Sequence, residues 1–492
     1  MSTPRFASLL LGLGLALPAH AAQLFTLSQQ GFASRGEALL RLDGQAAFSA
    51  KSGDRLDFQL PDGSRHRAAL DRIVHHPNGD RSWVGHLVDQ PTYYRVLLTQ
   101  GSHGLSGRIL TPRGEYLIEP SPGNQFAADS ANLIDVRSRG LTLQHGGDDG
   151  LIHPRSDSPV PETPPASSFS TAQAQIDVLV LYPAELASRY GNPETVINGL
   201  TLAANQAYID SQVGITLRVV KTLQVSYTKQ VASSTTLEEM TYGTDPAFSD
   251  LKSLRQQYGA DLVTYVQPFN RTAMGNCGIA WVGGGGGHPI SQSRDYGYSV
   301  VGYGRDTGGS NFFCSQYTYA HELGHNMGSS HDRANSSTQG AYPYSYGHGI
   351  AGQFGTVMSY ISPVVGYFSN PHVTCPGSSP CGVDENASNS ANNALSLNNT
   401  KAAVAAYMAE VAVPNDSDRV FNWAQATYSS VLYPANSNSL TGAGYYYRHY
   451  SGSNTYLGTQ NNRVYFLDGN TGQLSDMGDL SHYLTQAINA GY

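Results

Sequence analysis

The sequence predicts a multi-domain protein, with a β-rich N-terminal domain, an α/β central domain and a small β-rich C-terminal domain. Three observations carry that expectation. At 492 residues the chain exceeds what one ordinary hydrophobic core organises. The apolar pattern also changes twice, from short alternating runs, to strand-length runs interleaved with helix-length ones, to tyrosine-rich hairpin-like runs. A proline-rich stretch marks the first of these changes.

At the start of the chain, Arg5 precedes an apolar run from Phe6 to Leu17, and Ala19-His20-Ala21 supplies an A-x-A cleavage pattern. Residues 1–21 are therefore expected to be a secretory signal peptide. A membrane anchor would need about 20 apolar residues, and this run stops at Pro18. No other segment of the sequence has the length and apolarity to span a bilayer. Residues 22–153 alternate apolar and polar side chains in runs such as Ser82-Trp83-Val84-Gly85-His86-Leu87, divided by Asp-Gly, Asn-Gly and Arg-Gly turns. This is the signature of a β-rich domain. Residues 154–173, opening at Pro154 and passing through Pro159, Pro161, Pro164 and Pro165, have a composition that resists packing and predict an exposed linker. An exported N-terminal domain on a cleavable tether suggests a prodomain. A permanent accessory domain is the alternative.

Residues 174–410 begin with the continuous apolar run Ile176 to Tyr182, which predicts a strand. Pro193 then opens a helical pattern through Val196, Leu200, Ala203, Ala204 and Ala207. Residues 215–225 and 261–266 predict further strands and residues 251–258 a helix, so an α/β layer is expected. Gly283 to Gly287 lacks the Lys-Ser or Lys-Thr that a phosphate loop needs, and predicts a flexible loop. Residues 392–408 predict a closing helix. Residues 415–492, with Tyr445-Tyr446-Tyr447-Arg448-His449-Tyr450, predict short hairpins on which a terminal helix carrying Leu480, Leu484 and Ile488 packs. Tyrosines there could stack on a glycan or cell surface, or simply pair across strands.

Within the central region, His321-Glu322-Leu323-Gly324-His325-Asn326-Met327-Gly328-Ser329-Ser330-His331-Asp332 holds three imidazoles at metal-ligand spacing. His321 and His325 project from one helix face, Gly328 can end the helix in a sharp turn, and that turn returns His331 as a third nitrogen. Three protein ligands leave one tetrahedral position for water, the arrangement of a hydrolytic zinc site. Glu322 stands beside them as a candidate base that accepts the water's proton and later delivers it to a leaving amine. His288, His348 and His372 show no ligand spacing and are expected to be structural.

The pattern H-E-x-x-H-x-x-G-x-x-H resembles that of the metzincin metalloproteases, and the following Asp332 resembles the reprolysin or adamalysin branch. Downstream, Phe354-Gly355-Thr356-Val357-Met358-Ser359-Tyr360 resembles the family's Met-turn. The resemblance implies that Met358 forms an apolar floor under the imidazoles and that Asp332 accepts hydrogen bonds from backbone near this turn, holding His331 in place. Tyr360 departs from the reprolysin pattern and is similar to the tyrosine of astacins and serralysins, which implies an extra ligand or an oxyanion donor. The combination is similar to bacterial secreted peptidyl-Asp metalloendopeptidases and covers roughly residues 174–410. It implies one catalytic zinc ion, protein or peptide substrates, and cleavage on the amino side of acidic residues by way of a basic pocket. In such enzymes substrate adds to an edge strand, and Gly278, Ile279, Ala280 and Trp281 are the candidate.

Four cysteines, all beyond residue 270, fit an oxidising compartment. The favoured pairing joins Cys277 to Cys314 and Cys375 to Cys381, with four buried thiols as the alternative. Because none precedes Cys277, a cysteine cannot silence the zinc from upstream. If residues 22–173 inhibit, either another group such as an Asp carboxylate reaches the metal or the domain blocks the cleft. A net charge of -8 without clustered Lys and Arg argues against nucleic acid or an anionic membrane as partner. The expected protein is therefore a secreted, monomeric zinc endopeptidase made as a zymogen. The competing reading is an extracellular adhesion or glycan-binding protein acting through residues 415–492. Calcium sites are left open.

Overall fold

A computed structural model of the chain describes residues 22–28, 36–120, 128–144, 149–154, 173–411, 416–433, 439–442, 444–460 and 463–492. The predicted signal peptide and nearly all of the predicted linker lie outside the described residues. Among the described residues no helix is long and apolar enough to cross a membrane.

The N-terminal part is a nine-stranded antiparallel sheet. Glu37–Leu42 pairs on one side with Phe25–Ser28 and on the other with Ser130–Asp135. From there the sheet runs back through consecutive hairpins to Arg55–Gln59. The two ends meet, because Leu24 N–H donates to Asp57 O at 2.8 Å and Asp57 N–H donates to Ala22 O at 3.0 Å. Closure leaves few edge groups unpaired. Alternate side chains such as Phe25, Phe58, Trp83, Leu98 and Ile109 fill the inside, as the period of two required.

The central part is an eight-stranded sheet. Ala174–Pro183 lies between Ile215–Val225 and Leu262–Pro268, and Tyr298–Arg305 follows, all parallel. Two short strands, Gly278–Trp281 and Phe312–Cys314, run antiparallel to Tyr298–Arg305. A disulfide between Cys277 and Cys314 ties them together, and a second joins Cys375 to Cys381. Helix Pro193–Asp210 starts where the sequence places it, with Asn192 accepting from Glu194 N–H and Pro193 in the first turn. It is buried on most sides, since one face meets its own sheet while Gly199 and Thr195 press on Ser106 and Gly101 of the N-terminal sheet. Val84 and Leu97 thereby join the central core.

Several expectations change. Thr142–Leu143 and Gly150–Leu151, read as part of the N-terminal domain, are edge strands of the central sheet, pairing parallel with Phe312–Cys314 and Gly278–Trp281. Edge pairing uses backbone groups alone, so no apolar pattern announces it. The Gly283 to Gly287 run is a packed turn rather than a flexible loop: Gly283 N–H donates to His325 O at 2.8 Å, and a Cβ on Gly283 would lie 2.2 Å from Asn326 O. The closing helix is shorter, Asn393–Val404.

In the C-terminal part a five-stranded antiparallel meander spans Leu440–Gly442 to Gln473–Asp479. A helix at Asp416–Thr427 appears where hairpins alone were expected, and the terminal helix Leu480–Asn489 packs on it, the Trp423 and Tyr483 rings lying 6.2 Å apart. The side chain of Ile488 lies outside the described residues. The tyrosines pair with ring neighbours, His449 stacking on Tyr456 at 4.2 Å and Tyr445 meeting Tyr465 edge-on at 5.2 Å.

Candidate active site

Helix Tyr317–Asn326 carries His321, Glu322 and His325. Asn326 fixes it to the sheet by donating to the carbonyls of Trp281 at 3.0 Å and Tyr298 at 2.9 Å. Gly328, at φ +98°, ends the helix, and a Cβ there would lie 2.7 Å from Ala341 Cβ. The chain then turns into the short strand Ser330–Asp332, which pairs with Tyr346–Gly347 and presents His331.

The three Nε2 atoms converge. His321 and His325 are 3.1 Å apart, His325 and His331 2.9 Å, and His321 and His331 3.1 Å. Nδ1 of His321 lies 2.7 Å from Val357 O, and Nδ1 of His325 lies 2.9 Å from Ser329 O. A carbonyl only accepts, so the proton of each neutral ring sits on Nδ1 and the Nε2 lone pairs face one another. Such lone pairs repel unless a cation lies among them. Tetrahedral metal bonds of about 2.1 Å would set the nitrogens roughly 3.4 Å apart, close to the spacing seen. The donor set fits a metal ion.

A fourth ligand group completes the cluster. Asp149 Oδ1 lies 2.6 Å from His331 Nε2, 3.2 Å from His325 Nε2 and 3.4 Å from His321 Nε2. All four side chains are buried. Burial by itself would push the Asp149 carboxyl up, but the close approach of His331 and then of His321 holds it well below the usual carboxylate range. Burial, then the neighbouring imidazole of His331, push His325 down to about 4, which keeps it neutral and able to ligate. No single residue near position 149 reveals this role in the sequence. The only local signal is Asp149-Gly150, which reads as a turn. Gly150 is needed for a different reason, because a Cβ there would lie 3.0 Å from His325 Cε1.

Glu322 is buried, and neither carboxylate oxygen has a hydrogen-bond partner among the described residues. Burial, and after it the Asp149 charge, push its carboxyl well above the usual range. Leaving a buried acid unpaired costs stability, and groups of this kind concentrate where chemistry is done. Only glycine fits opposite it, since a Cβ on Gly278 would lie 2.3 Å from Glu322 Oε1. The edge strand Gly278–Trp281 is covered rather than open: Ala280 N–H donates to Asp149 O at 3.0 Å and Val282 N–H to Leu151 O at 2.8 Å.

The other sequence-predicted residues surround this cluster. Met358 is fully buried against the helix, where a Cβ on Gly324 would lie 2.8 Å from its Sδ. Asp332 Oδ2 accepts from Ser359 Oγ and from Tyr360 N–H, each at 3.0 Å. The Tyr360 ring lies 4.4 Å from the His331 ring and 6.1 Å from that of His321. His288, His348 and His372 lie outside the metal-ligand group.

Residues 172–387 match the family described as Metallo-peptidase family M12B Reprolysin-like, and residues 20–133 match the BamI lipocalin-like domain. A peptidyl-Asp metalloendopeptidase of Stenotrophomonas maltophilia (strain R551-3) is 26% identical over 81% of this chain and 97% of its own. One from Xanthomonas campestris pv. campestris is 27% identical over 72% and 81%. One from Pseudomonas aeruginosa is 31% identical over 45% and 39%. The chain thus carries a reprolysin-like metallopeptidase domain behind a lipocalin-like one.

Proposed function

We propose, from the premise that this chain is a metalloendopeptidase with a reprolysin-like domain, that it is secreted as a latent zinc precursor and cleaves proteins on the amino side of acidic residues. The observation that carries the reading is the buried trio of imidazole lone pairs beside an unpartnered Glu322. His321, His325 and His331 would hold the ion. When bound, zinc supplies a Lewis acid that makes water nucleophilic near neutral pH and polarises a carbonyl. Glu322 accepts a proton from the attacking water and passes it to the nitrogen of the departing amine. The raised affinity of its carboxyl for protons suits both duties. Tyr360, whose ring lies 4.4 Å from that of His331, would donate a hydrogen bond to the oxyanion. Asp332 fixes the Met358 turn to His331, so the third ligand cannot swing away.

Latency follows from Asp149. Its carboxylate reaches the three imidazole nitrogens that would hold the ion and would there compete with water, and the strand it heads fills the edge where substrate would pair. Direction matters as well. Glu322 serves the departing amine, and Glu322 lies over Gly278, so the leaving-group half of a substrate points towards Gly278 and the acyl half towards Trp281. A productive peptide therefore runs antiparallel to Gly278–Trp281. The Gly150–Leu151 strand runs parallel, backwards with respect to cleavage, and so blocks the cleft without being cut. A reading in which residues 415–492 carry the main activity is not favoured, given the relatives' metallopeptidase character.

Glu322→Ala should retain one zinc per chain yet lose cleavage of an unfolded protein by several orders of magnitude. The metal chelator 1,10-phenanthroline should abolish activity of the processed enzyme. Cleavage that survives both treatments would refute the assignment.

A further inference from the structure

A preference for acidic side chains requires a cation beside the cleft, and the inference that follows rests on the endopeptidase reading above. Several cations of the central domain are committed elsewhere. Arg218 pairs with Asp177, Lys229 with Glu239 and Asp245, Arg305 with Glu37 and Glu119, and buried Arg255 donates to the carbonyls of Ala260 and Asp261. Arg333 is exposed too, but it donates to the backbone carbonyls of Ser390 and Pro343, each at 2.9 Å. Arg271 is exposed, and its guanidinium has neither a carboxylate nor a backbone carbonyl partner among the described residues.

Its place is set by structure on three sides. The backbone N–H of Arg271 donates to Asp306 Oδ1 at 2.9 Å, and its guanidinium stacks 4.1 Å above the Phe312 ring. Asn270 caps the short turn that carries it, accepting from Ala273 N–H at 3.1 Å. The Cys277–Cys314 bond then ties that turn to the strand bearing Phe312. A stacked guanidinium is presented with little freedom left to lose on binding.

Its one side-chain hydrogen bond is the informative contact. Arg271 Nε donates at 3.0 Å to the side-chain Oε1 of Gln144. Gln144 lies shortly before Asp149 in sequence, and it lines the same cavity as Glu322, Asp149 and Thr318. This is the Glu322 side, on which the leaving-group half of a substrate lies. The amide oxygen thus sits where a substrate's carboxylate oxygen could be received, with the charge removed. We propose that Arg271 is the specificity-determining cation, binding an Asp or Glu side chain on the leaving-group side of the scissile bond, and that Gln144 occupies this position in the precursor.

The test uses processed enzyme obtained from the full chain and peptide pairs that differ only by Asp or Asn at each of the first three positions after the scissile bond. Wild-type enzyme should favour Asp in kcat/KM at one of these positions. Arg271→Gln should reduce that Asp-to-Asn ratio by about tenfold or more while leaving kcat/KM on the Asn peptide within about twofold. Arg271→Glu should shift preference towards Lys at the same position. A merely structural role would lower both peptides together, and an unchanged ratio in Arg271→Gln would overturn the proposal, as would a wild type that cleaves both peptides equally. Wild type cleaving neither peptide would instead remove the endopeptidase reading on which the proposal rests.

Discussion

At the scale of single residues, what could be read in advance was whatever chemistry repeats at short spacing. His321, Glu322 and His325 sit on one helix, and Gly328 returns His331 within a few residues, so elementary helix geometry was enough to gather them. Asp149 lies 172 residues from His321 in sequence. No spacing rule spans that distance, and the absence of upstream cysteine indicated only that an inhibitory domain must either bring another group, such as an Asp carboxylate, to the metal or block the cleft. Asp149→Ala in the full-length chain should therefore release activity without any cut in the chain, measured as hydrolysis of a quenched peptide by protein shown intact by mass spectrometry. Asp149→Asn should release less, because an amide oxygen can still occupy the position but without charge. Intact Asp149→Ala protein as silent as wild type would leave latency to the N-terminal domain as a steric block. Gly278 makes a second residue-scale case. Gly278→Ala places a methyl within 2.3 Å of Glu322 Oε1, so kcat should fall by roughly a hundredfold or more while zinc content stays at wild-type level. Retention of full activity would show that Glu322 does not work from the position described.

Among elements, those defined by their own apolar period were legible and those defined by partners were not. Ile215–Val225 and the start of Pro193–Asp210 fall where the apolar pattern and Pro193 put them. The strands Thr142–Leu143 and Gly150–Leu151 are two residues each. They exist only because an open sheet edge offers them hydrogen bonds, a fact about the partner rather than about their own sequence. Helix Asp416–Thr427 went unread for a related reason. Its apolar residues Val420, Phe421, Trp423 and Ala424 are few, and its face is completed by the terminal helix. The disulfides permit a prediction at this scale. Cys277 and Cys314 are 37 residues apart, and Cys375 and Cys381 are 6 apart. Loop-closure entropy then assigns about 4 kcal/mol to the first bond and about 2 kcal/mol to the second. Denaturant unfolding of the two double Cys→Ser variants should rank in that order. The larger loss should also bring poorer cleavage, since the first bond joins the two strands that border the cleft. Equal losses would mean that the unfolded-chain argument does not govern these bonds.

For the whole molecule, the question is what remains after residues 154–173 are cut. The N-terminal sheet does not merely hang from a tether. Arg95 reaches from that sheet to Asp210 at the end of the long central helix and also holds Asp71 at 2.6 Å within its own domain. Arg305 of the central sheet holds Glu37 and Glu119, each at 3.1 Å, while Asn198 donates to Asp80 at 3.0 Å. Val84 and Leu97 add apolar contact beneath these groups. Arg108, from the same sheet, donates to Val364 O at 3.0 Å and lies 4.2 Å over the Tyr317 ring, beside the cleft itself. A single cut in the linker therefore leaves every one of these contacts in place, and the nicked protein is expected to run as one species on size exclusion at low salt and to remain weakly active. Arg95→Ala strips the buried Asp210 of its partner. Truncating one member of a buried charged pair costs about 2 to 5 kcal/mol, or roughly 30-fold to several-thousand-fold in affinity. The nicked Arg95→Ala protein should accordingly separate into two fragments at micromolar concentration and gain activity, with the gain growing as salt is raised and the remaining ion pairs are screened. If the nicked variant stays whole and silent, the apolar contact and the Asp149 strand hold the domain without help from these charges. Activation would then require destruction of the N-terminal sheet rather than its departure.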